Sequence, residues 1–176
     1  MKIFKRIVIS IMVIIGLILI IGAFLPRDYT VTRTIEINSS PDSVYNNVAD
    51  FSVYKTWNWW AKQDPLSSFK IKGEAKQPGS SYSWNGNEIG IGSLTLETAE
   101  PGKKVKNILS FKKPFETVAS DNWEFEASQT GTKVIWVNSG KLPYPMGAFI
   151  AMSMNTMLGP QMDSGLVSLK ALTELK

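Results

Sequence analysis

PQMDSGLVSLKALTEL, residues 160–175, sets Met162, Leu166, Leu169, Leu172 and Leu175 at helical spacing, with Pro160 suited to the first turn of a helix. Immediately before it, Met146 to Leu158 is apolar and rich in methionine, with Met146, Met152, Met154 and Met157. Gly159-Pro160 separates the two stretches. A kink or break is expected there, because proline lacks the N–H that a helix interior uses.

Upstream the period changes from helical to twofold. Tyr29, Val31, Arg33, Ile35 and Ile37 share one face of a strand, with threonines, Glu36 and Asn38 on the other. Ser40-Pro41-Asp42 starts a helix by capping, fixed φ and charge against the dipole. Phe51 to Trp60 carries a second short helix or turn dense in aromatics, broken at Asp64-Pro65. The stretches 69–73, 80–84, 89–98, 105–111, 123–127 and 133–138 then read as strands joined by turns. Asn85-Gly86-Asn87 marks a hairpin, and Gly90 with Gly92 marks a bend or bulge. The order predicts an α+β fold: a curved antiparallel sheet of about seven strands under one long C-terminal helix. Alternating strands need one face covered, and the terminal helix is the element long enough to do it.

The N-terminus reads separately. Ile7 to Leu25 is uncharged and dominated by Ile, Leu and Val. As a helix it would rise to about 28 Å, close to a bilayer core of ~30 Å. A cleaved signal peptide is the competing reading, but the run is long for one and Gly22-Ala23-Phe24-Leu25-Pro26 offers no good small-x-small site. The sequence favours an uncleaved single-pass anchor. Residues 1–26 form a basic leader and transmembrane helix, and 27–176 form one domain. Lys2, Lys5 and Arg6 precede the span, so the positive-inside bias puts the N-terminus in the cytoplasm and the domain outside.

Composition sets limits on the chemistry. The 176 residues hold no Cys and no His, which excludes disulfides, thiolate catalysis, His-containing zinc sites and triads with an imidazole base. No cofactor and no metal site is expected. From Arg27 onward 16 Lys/Arg stand against 15 Asp/Glu, so the domain lacks the excess charge of a nucleic-acid binder.

The chain resembles the polyketide cyclase/dehydrase and lipid-transport proteins of the START-like (SRPBCC, helix-grip) superfamily, in a membrane-anchored branch. The resembling residues are Ile35 to Val44 at the first strand–helix junction, Trp57-Asn58-Trp59-Trp60 with Asp64-Pro65, and Gly79 to Gly86 around Trp84. Gly90-Ile91-Gly92, Thr132-Lys133-Val134, and Gly165-Leu166 with Leu169-Lys170 complete them. The resemblance covers roughly 29–176. It implies a hydrophobic cavity between helix and sheet that binds an apolar or amphipathic small molecule. It places no catalytic motif on this sequence.

The candidate ligand-binding residues follow from the inward strand faces and the helices around them. They are Trp60, Tyr82, Trp84, Leu96, Leu109, Phe111, Trp123, Phe125, Trp136, Met154 and Met162. Arg33 joins them as the one cation on an apolar face, either snorkelling past the sheet edge or held for a ligand carboxylate. Asp50 and Asp64 are the acids nearest the aromatic cluster, and Asp64 before Pro65 suits a turn cap. The methionine stretch suits a cavity mouth or a surface that dips into the bilayer. The favoured function is capture of a hydrophobic or lipid-like molecule next to the membrane. The alternatives are a regulatory envelope partner without a ligand, or a cyclase- or dehydratase-type enzyme.

Overall fold

The computed structural model describes residues 2–175. Met1 and Lys176, the outer ends of the expected anchor and domain segments, lie outside the described residues. Helix α1 (Lys2–Phe24) is the apolar leader. Its residues Ile3–Phe24 are long and apolar enough to cross a membrane, and 22 residues of helix reach ~33 Å. A core helix of a soluble protein would be covered, whereas nearly every side chain of α1 is exposed.

Strand β1 (Asp28–Ile37) leads into three short helices, α2 (Pro41–Ala49), α3 (Phe51–Trp57) and α4 (Trp59–Gln63). Ser40 caps α2, its hydroxyl accepting from the Ser43 N–H at 3.3 Å, and Pro41 occupies the first turn. The aromatic stretch expected as one helix or turn is split at Asn58. The Asn58 side chain accepts from the Trp60 N–H at 2.8 Å and starts α4 afresh.

Six further strands follow: β2 (Ser68–Lys72), β3 (Ser81–Asn85), β4 (Ile91–Glu100), β5 (Lys104–Lys113), β6 (Thr117–Ser128) and β7 (Gly131–Lys141). The seven strands make one sheet in the order β1-β7-β6-β5-β4-β3-β2, antiparallel throughout. The expected bulge is present, as a register shift between Ile91 and Gly92 and a second between Leu96 and Thr98. Such irregularities bend a strand, which is what wrapping a sheet around a helix requires.

Helix α5 (Gly147–Glu174) corrects the expectation of a helix starting at Pro160. It begins thirteen residues earlier and runs through the proline without a break. Pro160 faces outward and is exposed, while Gly159 is buried. The Arg33 guanidinium lies against Gly159, where a Cβ would stand 2.6 Å from Arg33 Cζ. From there Arg33 donates to Asn155 Oδ1 at 2.9 Å, to the Asn155 carbonyl at 3.3 Å and to Asp163 at 3.1 Å. These bonds straddle the proline and tie both sides of the weakened turn to β1.

The C-terminal half of α5 packs on a filled core. Met162, Leu166 and Leu169 are buried against Trp57, Trp123, Trp136 and Val134. Burial of each aliphatic side chain contributes up to about 2 kcal/mol, an upper bound set by the unfolded reference. Trp123 and Trp136, opposite each other in the β6–β7 register, stack with centroids 4.1 Å apart. Gly165 lets the helix come close, since a Cβ there would touch the Trp136 ring at 3.3 Å.

Candidate functional site

Beside this core, under the middle of α5, the interior is not filled. A cavity of about 550 Å³ lies between α3, α4 and α5 and the inward faces of β1 and β3–β7. Its aromatic lining comes from every quarter: Tyr29 on β1, Tyr54 on α3, Trp59 and Trp60 on α4, Tyr82 and Trp84 on β3, and Phe111 on β5. Met154, Leu158 and Gln161 form the roof on α5. The Trp60 indole N–H donates to Gln161 Oε1 at 2.8 Å and joins α4 to the roof. Trp84 lies over Gly92, the residue opposite it on β4, where a Cβ would overlap the indole and stand 2.8 Å from the Ser110 carbonyl. Glycine at this position therefore makes room for the ring.

At the boundary between the filled core and the cavity sits Asp121, a cavity-lining residue only 3% exposed. On the sheet it stands directly opposite Asn107 on one neighbouring strand and Asn138 on the other. Oδ1 accepts from Trp136 Nε1 at 2.6 Å and Asn138 Nδ2 at 3.4 Å. Oδ2 accepts from Trp123 Nε1 at 2.9 Å and Asn107 Nδ2 at 3.4 Å. Tyr29 donates to Asn138 Oδ1 at 2.9 Å, extending the network toward β1. Burial pushes the Asp121 carboxyl above the ordinary carboxylate range, against the opposing pull of the two indole and two amide donors. The phenols around it rise as well. Tyr29 is pushed up to about 12, by burial first and by the Asp121 charge second. Tyr54 and Tyr82 are raised by burial, with Asp121 adding to the effect on Tyr54.

The structure divides the sequence-predicted residues into two groups. Trp60, Tyr82, Trp84, Leu109, Phe111 and Met154 line the cavity. Leu96, Trp123, Phe125, Trp136 and Met162 are packed in the core beside it. Arg33 is the remaining case. It binds α5 from outside and pairs with Asp163, away from the cavity lining. Asp50 caps α3 by accepting from the Ser52 N–H at 2.9 Å. Asp64 accepts from the Glu88 N–H at 3.0 Å and fixes the β3–β4 turn at the cavity rim. Sequence reasoning passed over Asp121, Asn107 and Asn138. Extending the alternation of Trp123, Phe125 and Ala127 back one step reaches Asp121, so the period carried the signal and the polarity concealed it.

Comparison with known proteins follows the same outline. The family model described as polyketide cyclase / dehydrase and lipid transport matches residues 28–174. No curated protein matches the sequence. Among solved structures, protein CV1439 of Chromobacterium violaceum is similar at a TM-score of 0.62 and 14% identity, over 82% of this chain and 96% of that one. SA2116 of Staphylococcus aureus, a protein of unknown function, is similar at 0.61 and 13%, over 84% and 96%. The Aha1 dimer of Colwellia psychrerythraea is similar at 0.56 and 21%, over 82% and 96%. At these identities the likeness is one of fold, the helix-grip arrangement of sheet and terminal helix.

Proposed function

The chain belongs to the polyketide cyclase / dehydrase and lipid transport family, and we propose that its domain binds a hydrophobic small molecule in the cavity beneath α5 while α1 holds it at a membrane. Residues 1–26 serve as leader and anchor and 27–176 as the ligand-binding domain, with the N-terminus cytoplasmic and the domain outside. The observation that carries this reading is the cavity itself. Its volume falls in the range of about 300–1,000 Å³ that accommodates small organic ligands, and its walls are largely aromatic, with Asn58, Gln63, Glu88, Asp121, Asn138 and Gln161 set among them.

The contact between anchor and roof supports the tethered part of the proposal. Tyr144, just before α5, donates to the Leu19 carbonyl at 3.2 Å. A Cβ at Gly22 would meet the Pro145 carbonyl at 3.1 Å and Phe149 at 3.2 Å. The start of α5 thus sits beside the last turns of the apolar span, at the depth of a bilayer interface when α1 spans. Met146, just before the helix, and Met152 and Met157 on this half of it are exposed. Apolar side chains there suit contact with lipid, and a ligand could enter from the bilayer side.

Extraction of the full-length protein from membranes in non-ionic detergent, followed by mass spectrometry of solvent-released small molecules, tests the reading. An apolar molecule should co-purify with the wild type and be lost from Leu158→Trp, which fills the cavity from the roof. Equal small-molecule content in the two proteins would refute it.

A further inference from the structure

We infer that the ligand carries a positively charged nitrogen: a hydrophobic amine or quaternary ammonium compound whose cation sits beside the Asp121 carboxylate within the aromatic-walled cavity. The inference rests on the cavity being a ligand site and adds the class of ligand.

Among the described lining residues there are two carboxylates, Asp121 deep inside and Glu88 at the exposed rim, and no Lys or Arg. The domain has cations to spare, but those in ion pairs bind Asp28, Glu97, Glu100, Glu126, Asp163 and Glu174, all on the outside. Among the described residues Asp121 therefore has four neutral N–H donors and no counter-ion. An acceptor-only carboxylate is fully satisfied by four donors in its hydrogen bonding but not in its net charge. A buried charge without a partner is costly, so a ligand cation that supplies the partner binds with more than its apolar contacts alone.

Ring geometry favours the same class. Tyr54 meets Tyr82 edge-on and Tyr82 meets Trp84 at a tilt, each with centroids 5.9 Å apart, so the three rings form one aromatic stretch of the cavity wall, with Phe69 stacked on Tyr82. Aromatic faces attract cations through the ring quadrupole, most strongly where water is excluded. The same arrangement works against a fatty-acid carboxylate or a phosphate. Either would bring a second negative charge toward Asp121, with no lining guanidinium or ammonium to receive it. The volume of about 550 Å³ favours a ligand with a single apolar body.

The test uses three probes with one skeleton, 4-phenylbutyltrimethylammonium, 4-phenylbutanol and 4-phenylbutanoate. Binding to the full-length protein in non-ionic detergent is measured by titration calorimetry against protein-free detergent. The ammonium should bind about tenfold or more tightly than the alcohol, with the carboxylate weakest. This order should persist at about 0.5 M NaCl, where exposed charges are screened and a buried one is not. Asp121→Asn should cut the ratio of ammonium to alcohol affinity about threefold or more, the remainder being the share of the rings, and an unchanged ratio overturns the role of Asp121. Should that variant fail to fold, the wild-type ranking at high salt decides alone. Alcohol binding equal to or tighter than ammonium binding overturns the cation assignment and leaves the hydrophobic site standing. Tightest binding of the carboxylate does the same. Failure of all three to bind overturns both readings.

Discussion

Gly159→Ala inverts the usual rule for helices. In an interior helical turn this change ordinarily stabilises by ~1 kcal/mol, through lost unfolded-state entropy. Here the new methyl would occupy the place of the Arg33 guanidinium, which must then swing away. Displacement gives up three bonds to α5, two to Asn155 and one to Asp163. The Arg33 side chain is 22% exposed and Asp163 is 55% exposed. Partly solvated contacts of this kind are worth about 0.5–1 kcal/mol each, roughly 2 kcal/mol together. The net expectation is destabilisation of about 1 kcal/mol in the wild-type background. In Arg33→Ala the guanidinium is already gone, so Gly159→Ala should stabilise by ~1 kcal/mol. The double-mutant cycle should therefore return a coupling of about 2 kcal/mol. Guanidinium chloride unfolding of the four full-length proteins in non-ionic detergent, followed by tryptophan fluorescence, gives the free energies. A stabilising Gly159→Ala in wild type, or the same sign in both backgrounds, would show that Arg33 does not clamp the proline turn.

Two further outcomes are expected. Gly92→Ala should push Trp84 from its seat, cost roughly 1–3 kcal/mol by overpacking and weaken uptake of the co-purifying ligand; thermal unfolding and mass spectrometry read the two effects, and unchanged values in both would contradict the seat assigned to the ring. Asp121 makes a pH prediction of definite sign. Its pKa is raised by burial in the fold, so the folded chain holds this proton to higher pH than the unfolded chain. The stabilising contribution is complete below the unfolded value and is lost as pH rises through the folded one. Wild-type stability minus that of Asp121→Asn should accordingly grow as pH falls from about 7 to about 4, and denaturant unfolding at each pH that finds a flat or shrinking difference would contradict the burial argument.

The sheet was legible because each strand carries its own period. Trp123-Glu124-Phe125-Glu126 and the β1 threonines needed no tertiary information to be placed on two faces. The extent of α5 was not, because Gly159-Pro160 is a local stop signal. Its cancellation comes from Arg33, more than a hundred residues away, and no local pattern encodes a contact at that separation. The aromatic cavity wall was half legible. Alternation says which side chains point inward, but packing density decides which of them touch one another and which face open space. Trp84 and Trp136 are equivalent by period, yet the first lines the cavity and the second is sealed under Gly165. Asp121 was hidden for another reason. A search for the core weights apolar residues, and a carboxylate on the inward face breaks that expectation at the very position where the site departs from ordinary packing.

The position of β1 at the sheet's edge governs how the domain is born. Among the described residues its single strand neighbour is β7, with Asp28 paired to Lys141 and Ile37 to Thr132. Every other strand is synthesised between those two partners. A nascent chain therefore emerges with its first strand unable to dock, and must carry it through most of translation before the closing ladder forms. Pairings across so long a loop make for slow, late-committing folding. Helix α1 precedes every strand in the chain, so under the proposed anchoring it would enter a bilayer before the sheet exists, and the domain would assemble as a chain already leashed at one end.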